Sequence, residues 1–148
     1  MRTAIITVDV EALMHRSRDE HVKKLIWGDW RDDGSGRAGI IEMMDVADSH
    51  EVKISFFIDI AEEDVHGSEI EEAGKYILER GHDLQMHLHP NYLSEETWSE
   101  MGLETPSVRP PYFSEDRAEK MIIHQVKRFE RIFSRKPISY RGGSFNLN

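Results

Sequence analysis

The stretch KISFFIDIAEEDVHGSEIEEAGKYILERGHDLQMHLHP, residues 53–90, decides the fold. Lys53 to Ile58 (KISFFI) reads as a buried strand. Ser68 followed by Glu71 has the capping-box pattern, and Ile70, Ala73 and Ile77 share one helical face. Gly81 is a plausible residue just past the helix end. Asp83 to Leu88 (DLQMHL) alternates apolar and polar residues, as a strand does. Strand, helix, strand at this spacing predicts a right-handed crossover and parallel pairing.

The same grammar continues outward. Upstream, Thr3 to Val8 (TAIITV) predicts a first strand buried on both faces, and Ala12 to Gly39 a long polar loop with at most one helical turn. Ile40, Met43, Met44 and Ala47 recur at helical spacing, so a helix is expected over Gly39 to Ser49, with both methionines in the core. Downstream, Leu93 to Pro111 holds three prolines and reads as irregular. Ser114 then opens a long helix with Ala118, Ile122, Val126, Phe129 and Phe133 on its face. Pro137 follows, and Ile138 to Arg141 predicts a fourth strand. The fold class is therefore α/β, with a parallel sheet.

Composition narrows the function. A chain of 148 residues fits one domain and can bury roughly 68–70% of its unfolded surface. Its 28 acidic against 19 basic residues give a net charge of −9, which argues against a nucleic-acid partner, since phosphate contacts need clustered Lys and Arg. The absence of cysteine excludes a disulfide scaffold, a thiol nucleophile and thiolate-held metals. No stretch approaches the roughly 20 apolar residues of a membrane span, and the N-terminus lacks a signal peptide, so a cytoplasmic location is expected.

In a parallel sheet all strands point one way, and reactive groups collect at their carboxyl ends. Strand one delivers Asp9 and Glu11 there, strand two Asp59, strand three His87 and His89, and strand four Arg141. Both i, i+2 pairs face one side of extended chain. The two histidine Cα atoms lie about 6.6 Å apart at roughly 3.3 Å per residue, so both imidazoles can converge on one zinc ion. One carboxylate with two histidines leaves an open coordination position, and the second carboxylate is free to act as a base, held by Arg141. Asp59 is expected to cap the turn after its strand. His82, at the opposite end of strand three, is expected at the surface; His15, His21, His50, His66 and His124 lack ligand spacing. Trp27 and Trp30 are expected to serve burial more than sugar stacking.

Four segments, TVDVE (7–11), ISFFID (54–59), GHDLQMHLHP (81–90) and SYRGG (139–143), resemble in that order segments of the polysaccharide deacetylase superfamily (NodB homology, carbohydrate esterase family 4), in a branch with an HLHP histidine motif. The resemblance implies a distorted (β/α) barrel and a divalent metal, most often zinc. It implies Asp9 as catalytic base, Glu11 and His87 as metal ligands, and Arg141 as the residue orienting the base. The implied reaction is hydrolysis of an N- or O-acetyl group from a sugar, or of a small amide in related members. Val10 separates carboxylates that are adjacent in the usual motif. Asn91 stands where the usual second histidine falls, so His89 is the expected third ligand. VRPPY (108–112) superficially resembles the third motif, but it precedes the long helix and Arg141 follows it. Residues 1–148 are expected to form the N-terminal part of such a barrel, about four strands. An incomplete barrel raises two further expectations, exposed apolar surface or a homo-oligomer, and a binding role without turnover is the non-enzymatic alternative.

Overall fold

The computed structural model describes residues 4–12, 20–29, 36–106 and 113–143. Four strands form one sheet: β1 (Thr7–Val10), β2 (Ser55–Asp59), β3 (Asp83–Leu88) and β4 (Tyr140–Gly142). They lie side by side in chain order and every pair is parallel. Helices α1 (Ile40–Ser49), α3 (Ser68–Glu79) and α5 (Glu115–Phe133) provide the crossovers, as in a (β/α) barrel left open between β4 and β1. Short helices α2 (Glu63–His66) and α4 (Glu95–Glu100) follow the ends of β2 and β3.

The register explains the division of labour across the sheet. Val8↔Phe56↔Leu84 and Val10↔Ile58↔Met86 share one face, and Phe56, Ile58, Leu84 and Met86 are buried in the apolar core. The other face carries Asp9↔Phe57↔Gln85 and then Asp59↔His87↔Arg141. The strands therefore alternate, with apolar residues toward the helices and, Phe57 apart, polar ones toward the barrel interior.

Both outer strands begin later than expected. Ile5 and Ile6 are 77% and 48% exposed, because ladder pairing starts only at Thr7↔Ser55 and β1 is an edge among the described residues. Ile138 is 87% exposed: its N–H and that of Ser139 donate to Gln85 Oε1 (2.9 and 3.0 Å), so a side chain holds this approach before the ladder begins at Tyr140.

In α1, Met44 is buried but Met43 lies exposed, so only one methionine is core. Gly39 caps this helix, its N–H donating to Glu42 (3.0 Å). Ser68 is the first residue of α3 and caps nothing; Gly67, at φ +55°, takes the N-cap place. Ile70, Ala73 and Ile77 are buried as the spacing predicts. Gly81, at φ +72°, ends the helix: its N–H reaches Leu78 O (2.9 Å) and that of His82 reaches Ile77 O (3.2 Å), a Schellman pair. Helix α4 interrupts the stretch expected to be irregular, with Ser94 Oγ accepting from Thr97 N–H (3.1 Å). In α5 the buried residues are Met121, Gln125, Phe129, Ile132 and Phe133, a stripe rotated from the expected one, and the buried amide of Gln125 hides it from a count of apolar residues. His15, Trp30 and the VRPPY string lie outside the described residues.

His82 is buried, not at the surface. Its Nδ1 accepts the Ile54 N–H (3.1 Å), its ring meets Phe56 edge-on, and Nε2 lies 3.2 Å from Asp48 Oδ1. Burial lowers the imidazole pKa below its ordinary 6.5, with Asp48 opposing. The unfolded state therefore binds more protons just below that pH, and stability falls as the pH drops through it. Urea titrations from about pH 7 to pH 5 should show the wild type losing more stability than His82→Gln. Parallel losses in the two proteins would contradict this.

Candidate metal centre

The site grows from the polar ends of three neighbouring strands. Glu11 follows β1, Asp59 ends β2, and His87 and His89 flank Leu88 at the end of β3. Leu88 points into the core, so the two imidazoles on either side of it project together onto the other face, with ring centroids 4.8 Å apart and planes at 89°. One donor atom from each of Glu11, Asp59, His87 and His89 lies within 4.8 Å of the others.

Each group is held from behind. His87 Nδ1 donates to the Arg141 carbonyl (2.9 Å), which turns Nε2 to within 3.3 Å of Glu11 Oε2. His89 Nδ1 lies 2.8 Å from Asp59 Oδ2 and 3.3 Å from the same Glu11 oxygen. Asp59 is fully buried, and its Oδ1 accepts from the N–H of Ala61 (3.0 Å) and of His89 (3.3 Å). Beyond Glu11, the Ala12 N–H donates to the buried carboxylate of Glu62 (2.6 Å), fixing the exit of β1. Neither that role of Glu62 nor the contact of Asp59 with His89 is legible in a local reading of sequence, because each spans 30 or more positions.

The electrostatics match a cation site. The hydrogen bond from His87 pulls the Glu11 pKa below the usual carboxylate value, against burial and with help from the fields of His89 and His87. Burial depresses the His87 pKa, but Glu11, Asp59 and Asp9 outweigh it and the net shift is upward. Two carboxylates facing two imidazoles favour positive charge at their centre, and this nitrogen–oxygen donor set fits a divalent ion such as Zn²⁺.

Beside the cluster, Arg141 Nη1 donates to Asp9, Nη2 donates to Thr7 Oγ1 (2.9 Å), and the guanidinium lies 4.1 Å over the Phe57 ring. The structure thus brings Glu11, His87 and His89 to one point and joins Asp9 to Arg141. Asn91 is exposed in the 3₁₀ turn Pro90–Tyr92. Asp59 caps its turn as expected and also enters the donor cluster. Of the remaining described histidines, His21 is buried and His50 exposed. Trp27 is half-buried, edge-on to Tyr76 at 5.4 Å.

Gly143 closes the far side of His89. A Cβ there would fall 2.2 Å from His89 Cδ2. Gly143→Ala should therefore displace the imidazole and weaken Zn²⁺ binding by about 10–100-fold with little change in stability, measured by calorimetric titration and thermal unfolding. Unaltered affinity would show that His89 yields without leaving the cluster.

No protein-family model matches the chain, and no curated protein matches it. Two solved structures are similar to it. One, from Mycobacterium smegmatis and described as a polysaccharide deacetylase, is 17% identical with a TM-score of 0.57 over 97% of this chain. The other, a mutant of a carbohydrate esterase family 4 pseudoenzyme with restored activity, is 13% identical with a TM-score of 0.54 over 97% of the chain. The chain spans 44% and 37% of their respective lengths. At these identities the likeness is one of fold: the four strands and their helices form part of a NodB-type barrel.

Proposed function

We propose that this chain carries the metal-binding side of a divalent-metal-dependent hydrolase that removes acetyl groups from an N- or O-acetylated sugar. The observation that carries the reading is the convergence of Glu11, His87 and His89 at the carboxyl ends of parallel strands, next to an Asp9–Arg141 pair. Glu11, His87 and His89 would hold the cation. When bound, a divalent cation in such a site supplies Lewis-acid activation of water and charge stabilisation at the substrate carbonyl.

The chain's own residues supply the rest. Asp9 accepts the proton of the attacking water, and Arg141 aims its carboxylate through a charge-assisted hydrogen bond. Phe57 and Thr7 fix the guanidinium in turn, so the group that aims the base is itself held on two sides. His87 is kept in the Nδ1–H tautomer by the Arg141 carbonyl, which leaves Nε2 free to face the site.

The test joins Zn²⁺ titration of the purified chain to an acetate-release assay over acetylated mono- and oligosaccharides and small amides. Binding of one Zn²⁺ with release of acetate from sugars is expected. Release from small amides alone would shift the substrate class, binding without turnover would reduce the chain to a binding module, and no binding would overturn the proposal.

A further inference from the structure

The geometry points to Asp59 as a direct ligand of the cation, which makes the donor set two carboxylates and two imidazoles, with the water that the reaction needs entering as a fifth ligand. This rests on the metal reading above and adds a ligand to it. Three observations converge. First, Asp59 has no solvent exposure, and a buried carboxylate needs compensating positive charge or several hydrogen bonds. Backbone N–H groups engage only Oδ1, leaving Oδ2 turned to the cluster, 2.8 Å from His89 Nδ1.

Second, His89 offers Nδ1 and not Nε2 to the site. The Cβ position of Gly143 lies 2.6 Å from Nε2, so that side of the ring is packed against the residue that follows β4, while Nδ1 faces Glu11 and Asp59 together. A nitrogen that binds the cation cannot also donate a proton to Asp59, which frees Oδ2 for the same ion. Third, with His87 bound through Nε2, the four donor atoms already lie within 4.8 Å of one another, close enough for one ion to gather them. Two carboxylates with two neutral imidazoles carry a charge of −2, which a divalent ion cancels.

Asp59→Asn separates this from a structural role. The amide oxygen can keep the Ala61 N–H bond, while the NH₂ takes the place of Oδ2, and an amide nitrogen does not ligate. The expected result has two parts. Apo Asp59→Asn unfolds at a temperature near that of the wild type. Its Zn²⁺ affinity falls by more than about 100-fold, beyond what loss of an outer orienting group costs, and the visible spectrum of the Co²⁺-loaded form changes shape. A Co²⁺ spectrum and Zn²⁺ affinity within about threefold of wild type would overturn the assignment while leaving the three-ligand site standing. Failure of the wild type itself to bind Zn²⁺ would instead remove the reading beneath it. If Asp59→Asn does not fold, a crystal structure of the Zn²⁺-soaked wild type decides: Oδ2 belongs about 2.0–2.2 Å from the ion, and a distance beyond 3 Å would refute ligation.

Discussion

His87→Ala is expected to weaken Zn²⁺ binding by more than about 100-fold in a calorimetric titration. Loss of an outer group that merely orients a ligand costs about 10–100-fold, and we propose His87 as a ligand itself. It is almost fully buried, its Nδ1 is committed to the Arg141 carbonyl, and its Nε2 faces Glu11, so no neighbour can swing in to replace it. The apo protein should respond in a second, pH-dependent way. The folded-state pKa of His87 is raised and that of Glu11 is lowered. The histidine's contribution is full below its unfolded pKa near 6.5 and fades as the pH rises through the folded value. The glutamate's is present above about 4.5 and is lost as the pH falls through its folded value. The pair therefore supports the metal-free fold chiefly between those two values, and His87→Ala should flatten that feature of the stability profile. Wild-type affinity in His87→Ala would place the cation elsewhere.

Phe129→Ala should destabilise the fold by about 3–5 kcal/mol, a large share of the 5–15 kcal/mol typical of a domain. The ring is fully buried on α5 and meets Phe133 edge-on at 4.7 Å. Phe133 in turn fills the space beside Gly74 of α3, where a Cβ would come within 2.4 Å of its ring. Removing Phe129 opens a cavity at the junction of two helices, and little else can collapse into it. At about 2–4 °C per kcal/mol, calorimetry should record a drop in Tm on the order of 10 °C. A loss below about 1 kcal/mol would mean that the α3–α5 junction repacks freely.

Chain order and strand direction were legible because they rest on local patterns: KISFFI, DLQMHL and the helical spacings between them. What escaped was decided at long range. The start of β4 depends on Gln85, more than fifty residues away, whose side chain holds Ile138 and Ser139 short of the ladder. The burial of His82 depends on the Ile54 N–H, and the buried face of α5 includes Gln125, which no apolar count selects. In the site, i, i+2 alternation was enough to expect Glu11, His87 and His89 on one rim. Asp59 was legible as a turn cap, because that bond is two residues long, and as a member of the rim, but its bond to His89, thirty residues on, was not.

Arg141 acts on the centre through two chemically separate groups. Its guanidinium fixes Asp9, and its main-chain oxygen fixes the tautomer of His87. An alanine scan at this position removes the first anchor and leaves the second untouched, so it will under-report what the position contributes. A slip of β4 by one step along β3 would instead unseat both anchors at once, making strand pairing itself a determinant of the site's geometry.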